Sequence, residues 1–161
     1  MIVALIADTH LPRGRRRLPD ACVERLRAGD LILHAGDFNA MSAFEEIAAL
    51  GPPLAAVHGN VDEPALRERL PAERELELEG VRLALVHDAG PARGRLGRLR
   101  RRFPEADAVV FGHSHIPLHE EVQGLQIFNP GSPTDRRRAP SHTMGLARIS
   151  DGAVSFELVD L

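Results

Sequence analysis

Short apolar runs alternate with stretches of helical periodicity along the amino-terminal part of the chain. Residues 2–7 (IVALIA) form a continuous, partly β-branched run, as expected of a central strand covered on both faces. Cys22, Val23 and Leu26 then share one face of a helix that begins near Pro19, where proline suits the first turn, and stops at Gly29. Leu31-Ile32-Leu33 reads as a second buried strand. Ser42-Ala43-Phe44-Glu45 has the spacing of a capping box, whose hydroxyl and carboxylate take up free amides at a helix start, and predicts a helix over residues 43–50. Gly51-Pro52-Pro53 breaks it, and residues 54–57 (LAAV) form a third strand. Three such units in succession predict parallel strands joined by crossover helices. Glu63-Pro64 opens one more short helix, with Asp62 placed to cap it and Pro71 to stop it.

Beyond Pro71 the period changes. Leu76 and Leu78 alternate with Glu75, Glu77 and Glu79, and Val81, Leu83 and Leu85 resume the alternation after Gly80, which predicts an antiparallel hairpin ending at His87. Leu96, Leu99 and Phe103 recur at helical spacing over residues 92–103, whose arginines form a solvated face. Residues 108–111 (AVVF) return to the sheet. Val122-Gln123-Gly124-Leu125, Asn129-Pro130-Gly131-Ser132 and Ser150-Asp151-Gly152 mark turns between short strands, the last two covering residues 144–149 and 153–159. The carboxy-terminal third is therefore mostly antiparallel. The whole pattern predicts an α/β fold: a four-layer α-β-β-α sandwich of two mixed sheets packed face to face, with helices outside.

Composition narrows the setting. The 161 residues, 43% of them hydrophobic, suit a single domain spanning residues 1–161. One thiol, Cys22, excludes an internal disulfide, and residues 1–7 meet Asp8 without a basic leader, so a cytoplasmic protein with no membrane partner is expected. Every basic residue is Arg, and the net charge of −3, with neither Trp nor Tyr for stacking, argues against a general nucleic-acid binder. Arginines still cluster at residues 15–17, 100–102 and 136–138.

Candidate chemistry lies at the ends of the apolar runs: Asp8-Thr9-His10, Gly36-Asp37, Gly59-Asn60-Val61-Asp62, His87 and Gly112-His113-Ser114-His115. In extended backbone His113 and His115 point to the same side and can face one ion. Carboxylate, amide and imidazole without thiolate suit manganese, iron or zinc better than calcium or an iron–sulfur cluster. Asp8, His10, Asp37, Asn60, His87, His113 and His115 are too many for one ion; two ions roughly 3.5–4 Å apart would share a ligand, and a carboxylate has the two oxygens for it. Taken singly, Asp and Asn favour turns and caps, but a convergent set would be costly to bury without a cation. His34 and His58 read as packed strand residues, and His119 and His142 as exposed ones.

In this order the motifs resemble those of the calcineurin-like metallophosphoesterase superfamily. The short length and the Gly-Asn-x-Asp form resemble its small bacterial and archaeal phosphodiesterase branch, over residues 8–132. The resemblance implies that Asp37 bridges two ions, that Asp8, His10 and His115 complete one site, and that Asn60, His87 and His113 complete the other. Asp37, Asn60 and His113 would then be catalytic. It implies two divalent cations, manganese first and iron, nickel or zinc as other candidates. The substrate would be a small phosphodiester or phosphomonoester, cleaved by in-line attack of a hydroxide held between the ions. A homo-oligomer is compatible with this reading, and a nucleic-acid substrate is disfavoured.

Two positions depart from the family pattern. Val61 stands where many members carry a His thought to protonate the leaving group, which leaves His58 or Asp62 as substitutes, and Asp88 follows His87 where small members commonly have Gly. Arg13 and Arg136, on loops near the same edge, are expected to bind phosphate through their guanidinium forks. The Asn129–Ser132 stretch, also common in this branch, is either a plain turn or a brace for the site. A second class stays open, because the retromer scaffold subunit resembles the same branch and has drifted towards protein binding; a nuclease ranks third. Retention of all seven ligand positions favours chemistry.

Overall fold

The computed structural model describes all of residues 1–161. In chain order the elements are β1 (Ile2–Ile6), α1 (Asp20–Ala28), β2 (Leu31–His34), α2 (Met41–Ala48), β3 (Leu54–Ala56), α3 (Pro64–Arg69), β4 (Glu73–Leu78), β5 (Val81–Val86), α4 (Arg95–Arg102), β6 (Ala108–Val110), β7 (Leu118–Val122), β8 (Leu125–Asn129), β9 (Thr143–Ser150) and β10 (Ala153–Asp160). They build two five-stranded sheets, ordered β10-β9-β1-β2-β3 and β4-β5-β6-β8-β7. Each contains three parallel strands: β1, β2 and β3 in the first, β5, β6 and β8 in the second. Antiparallel β9 and β10 extend the first sheet beyond β1, leaving β3 at its edge, and antiparallel β4 and β7 flank the parallel strands of the second.

The period of two along β1 sorts its side chains into two cores. Val3, Leu5 and Ala7 meet Leu33, Leu83, Leu85 and Val110 between the sheets, whereas Ala4 and Ile6 pack with Leu26 of α1 and Ile47 of α2 on the outer side. Val86, Val109 and Ile127 meet Leu99 and Phe103 of α4 and its end, completing the fourth layer. All are close to fully buried, so truncating Leu33 to Ala would cost about 2–5 kcal/mol. No helix is long and apolar enough to cross a membrane.

Three local expectations change. α2 begins at Met41, so Ser42 lies inside its first turn and caps nothing; the Met41 amide is accepted instead by Glu63 Oε1 at 2.7 Å. A carboxylate distant in sequence thus satisfies the end that the local box was expected to satisfy. α4 starts at Arg95 rather than residue 92, because Gly94 is left-handed at φ 72°. Glu63, not Asp62, occupies the cap position of α3. The tight turns at Gln123-Gly124 (φ 51° and 74°) and Asp151-Gly152 (52° and 73°) have the paired positive φ values that two-residue hairpins require.

Parallel strands end at one edge. β1, β2, β3, β5 and β6 all deliver their carboxy termini there, and the loops continue to pair beyond the strands, with Asp8 N–H donating to Gly36 O at 2.9 Å and Gly112 N–H to His87 O at 3.0 Å.

Candidate metal centre

The loops at this edge turn their side chains inward through left-handed backbone. Asp8 (φ 55°), His10 (45°), Asp37 (61°), Asn39 (86°), His113 (70°) and His115 (59°) all adopt it. Each such non-glycine residue costs on the order of 1–2 kcal/mol, which the surrounding contacts must offset. One consequence corrects the simple extended-strand expectation for His113 and His115. With both residues left-handed, their rings diverge: His115 faces Asp8 and His10, and His113 faces Asn60 and His87.

Close approach of the loops depends on two glycines. A Cβ on Gly59 would fall 2.0 Å from Asp37 Oδ1, and one on Gly112 2.9 Å from Asp8 Oδ2. Asp62 clamps the same region. Its carboxylate accepts the amides of Gly59 at 2.7 Å, Asn39 at 2.8 Å and Asp37 at 3.1 Å, so it joins the loop after β2 to the loop after β3. Arg67 donates to Asp62 O at 2.8 Å and to Asn60 O, fixing that loop from α3. The stretch after β8 is a brace rather than an isolated turn: Asn129 Nδ2 donates to Gly112 O at 2.9 Å, Ser132 Oγ to Asp8 O at 2.7 Å and Thr134 Oγ1 to Thr9 O at 2.5 Å. For Ser132 this is one of the two readings of its stretch in the sequence, whereas Asp62 carried no signal for clamping beyond its place in the Gly59–Asp62 motif.

All seven candidate ligands come together. Asp8, His10 and His115 offer ligand atoms within 4.8 Å of one another, and so do Asp8, Asp37 and His87. His10 Nε2 lies 3.1 Å from His115 Nε2, which lies 3.5 Å from Asp8 Oδ1. On the other side, His87 Nε2 is 3.1 Å from Asn60 Oδ1 and 3.3 Å from His113 Nδ1. Asp37 Oδ2 sits between the two groups, 3.3 Å from His87 Nε2 and 3.8 Å from His10 Nε2.

The outer nitrogens explain why this set fits a cation. His10 Nδ1 pairs with Asn39 Oδ1 at 3.0 Å, His87 Nδ1 with Ala35 O at 2.8 Å and His115 Nδ1 with Asp135 O at 2.5 Å. An oxygen acceptor at Nδ1 assigns the proton there, which leaves each Nε2 lone pair aimed inward beside the carboxylates. Asp8 Oδ2 is buried with no hydrogen-bond partner at all. Converging lone pairs and an orphaned carboxylate oxygen are satisfied by positive charge, and the donor set of oxygen and imidazole nitrogen suits a first-row divalent ion.

Protonation in the protein alone follows from the same packing. Burial pushes the Asp8 carboxyl up to about 8, against the favourable charge of His87. Burial also opposes ionisation of Asp37, but the hydrogen bond and charge of His87, with the Val61 amide and His10, hold it at about 2. His115 is lowered by burial to about 4, while His87 is raised, its own burial being outweighed by Asp37 and Asp8. Near neutral pH, ion loading must therefore displace the Asp8 proton and part of a His87 proton, whereas Asp37 and His115 are already in ligating form. Calorimetry at pH 7 in buffers of different ionisation enthalpy should show release of about one to two protons, and buffer-independent heats would contradict it. Stability after chelation follows. A raised carboxyl and a raised imidazole both favour the folded state at low pH and lose that contribution as pH rises, so between pH 6.5 and 8 the chelated protein should melt progressively lower. Below pH 6.5 the depressed His115 acts in the opposite sense.

The neighbouring imidazoles have other work. His34 is fully buried, pairs with Thr9 Oγ1 at 3.0 Å and stacks on Phe38, and burial holds its pKa well below the usual value, so it stays neutral within the core. His58 is half-buried at the rim, His119 is exposed and His142 is partly covered. Of the two arginines expected to bind phosphate, Arg13 is exposed and its side chain forms no hydrogen bond or ion pair, and Arg136 donates to Ala139 O at 2.7 Å within its own loop. The arginine beside the centre is Arg137, whose guanidinium reaches His113 O at 3.4 Å. Three consecutive arginines gave no basis in sequence for choosing among them.

Comparison with known proteins agrees with this architecture. The family model for the calcineurin-like phosphoesterase superfamily domain matches residues 1–152. A probable metallophosphoesterase of Methanothermobacter thermautotrophicus is 34% identical over 161 residues, covering 99% of this chain and 92% of that protein. A phosphodiesterase of Methanocaldococcus jannaschii is 26% identical over 144 residues, covering 81% of this chain and 83% of its own length. Among solved structures, wild-type Vps29 of Entamoeba histolytica complexed with zinc superposes with a TM-score of 0.78 at 23% identity, over 99% of both chains, and so shares the fold. With strand ends, ligand set and family model in agreement, the chain belongs to the calcineurin-like phosphoesterase superfamily.

Proposed function

We propose that this protein is a dinuclear-metal phosphodiesterase. One observation carries the reading: imidazole lone pairs and carboxylate oxygens converge at one sheet edge, with Asp37 Oδ2 between the His10 and His87 groups. Asp8, His10 and His115 would hold one ion, Asn60, His87 and His113 the other, and Asp37 both. Manganese is the first candidate, with iron, nickel or zinc next. Two divalent ions bound there supply Lewis acidity towards a phosphoryl oxygen and make water nucleophilic at neutral pH. The chain's own residues set the geometry: carbonyl oxygens behind His10, His87 and His115 fix the rings, and Asp62 holds the Asp37 and Asn60 loops in register.

Proton supply to the leaving group is weak. Val61 is 47% exposed beside Asn60 and has no proton to give. Asp62 is engaged by three amides and is no donor. His58 shares a hollow with Asn60 and His87 and is the imidazole left on that rim outside the candidate ligand set. Diesters whose leaving group departs as a stable anion should therefore be favoured. Aryl diesters should turn over about 10²-fold or more faster than alkyl ones, the range supplied by one general acid, and Val61→His should shrink that gap. A flat dependence of rate on leaving-group pKa would remove Val61 from the explanation.

Metal analysis of the purified protein, coupled to hydrolysis of bis(p-nitrophenyl) phosphate with added Mn²⁺, Ni²⁺ or Zn²⁺, tests the proposal. Two ions per chain with diester turnover are expected. Two ions with no turnover on diester or monoester panels would favour a protein-binding scaffold, the reading kept in view by the overall likeness to Vps29.

A further inference from the structure

A groove leads away from the metal centre along α4. Its inner hollow, about 400 Å³, is lined by Asn60 and His87 of the centre and by Arg67, Asp88 and Arg102. An outer hollow of about 600 Å³ adjoins it through Asp88 and Arg102 and extends over Arg98 and Arg101. Together they have the volume of a small-molecule site.

Helical spacing accounts for the wall. Positions 98, 101 and 102 stand three and four residues apart and share one face of α4. Arg98 fastens the preceding loop, donating to Arg93 O at 2.9 Å and Ala89 O at 3.1 Å. Arg95, one turn earlier, holds Gly90 O in the same way, so the loop after His87 is bound down and the groove beyond it is open. Arg102 pairs with Glu73 at 2.6 Å, and Arg67 binds the neutral carbonyls of Asn60 and Asp62. Arg101 is exposed and donates to no protein acceptor. Carbonyl partners leave a guanidinium's charge uncompensated. Arg67, Arg98 and Arg101 thus share the groove with one carboxylate, Asp88, which accepts the Gly90 amide at 2.7 Å and forms no ion pair, in a chain whose net charge is −3.

We propose that this groove is a subsite for a second phosphate group, carried on one arm of the diester whose phosphorus sits at the metal centre. It rests on the phosphodiesterase reading above and narrows the substrate to a class: a diester with an additional phosphate on the same arm. Guanidinium groups with free N–H donors match phosphate oxygens in fork geometry, and Arg101 has all of its donors free. Ala89 and Leu99, which line the outer hollow, are themselves almost fully buried, and its charged groups are those of Asp88, Arg98, Arg101 and Arg102.

Binding to the Mn²⁺-loaded protein, measured by calorimetry, tests this whether or not the protein turns substrate over. Thymidine 3′,5′-bisphosphate should bind about five- to tenfold tighter than thymidine 5′-monophosphate, the range of one exposed charge-assisted contact. Glycerol 1,3-bisphosphate against glycerol 3-phosphate forms the second pair. A preference in both pairs means that phosphate alone is read; a preference in the thymidine pair alone means that a nucleoside spaces the two groups, and either result supports the subsite. Arg101→Glu should bring the ratios to about one, Arg101→Ala should lower them part of the way, and both should leave bis(p-nitrophenyl) phosphate turnover unchanged. No preference in either pair, or a preference that survives Arg101→Glu, overturns the proposal. Absence of bis(p-nitrophenyl) phosphate turnover with the binding preference intact would instead strike at the catalytic reading alone.

Discussion

Asp37→Asn is expected to empty both ion positions and to lower diester hydrolysis by about 10³-fold or more, the scale reached when electrostatic support for the transition state is removed. Asp37 is the residue whose oxygen lies between the two groups, 3.3 Å from His87 Nε2 and 3.8 Å from His10 Nε2. Held at about 2, its carboxyl is ionised across the whole working range, so the substitution removes a full negative charge. The amide oxygen can still accept the Val61 N–H that Asp37 Oδ1 accepts, which keeps the loop in place and separates chemistry from folding. His113→Ala is the comparison, because His113 faces Asn60 and His87 alone and its loss should weaken one ion. Ion counts by elemental analysis, with circular dichroism as the check on folding, decide the matter. Two ions retained by Asp37→Asn would show that Asp8, which belongs to both groups, does the bridging.

Asp62→Ala should be among the most destabilising single changes at this edge. It leaves the amides of Asp37, Asn39 and Gly59 without an acceptor in a region where Asp62 itself is 2% exposed. At about 1–3 kcal/mol for each unsatisfied buried group, partly relieved by water, the cost is about 3–6 kcal/mol, or a melting temperature lower by about 6–24 °C. Ion affinity should fall with it, since the loops carrying Asp37 and Asn60 lose their common anchor. Asp62→Asn keeps one acceptor oxygen and should fall between. A melting temperature and ion content both unchanged in Asp62→Ala would show that the loops are held by Arg67 and the strand ends alone.

These two positions mark how far the sequence could be read. Asp37 was legible because it ends an apolar run, and a strand period with a polar stop is a local signal. The same logic located β1 to β3, the hairpin β4–β5 and the candidate ligands at residues 8, 10, 60, 87, 113 and 115. Asp62 also follows a strand, yet its three partners come from residues 37, 39 and 59, and acceptors reached through tertiary contact leave no periodic trace. Ser42 failed for the same reason in reverse: a correct local spacing lost to Glu63, a better placed acceptor from another helix. Arg137 could not be told from Arg136 or Arg138, because which of three adjacent guanidiniums reaches His113 depends on the left-handed turn at Arg137, φ 46°.

Asp8, His10, Asp37 and Asn60 hang from the sheet that contains β1 to β3, while His87, His113 and His115 hang from the sheet that contains β5 and β6. Each ion would accordingly stitch the two halves of the sandwich across their seam. Metal occupancy and the mechanical coupling of the sheets become one variable, and amide exchange along that rim would report loading without any substrate present.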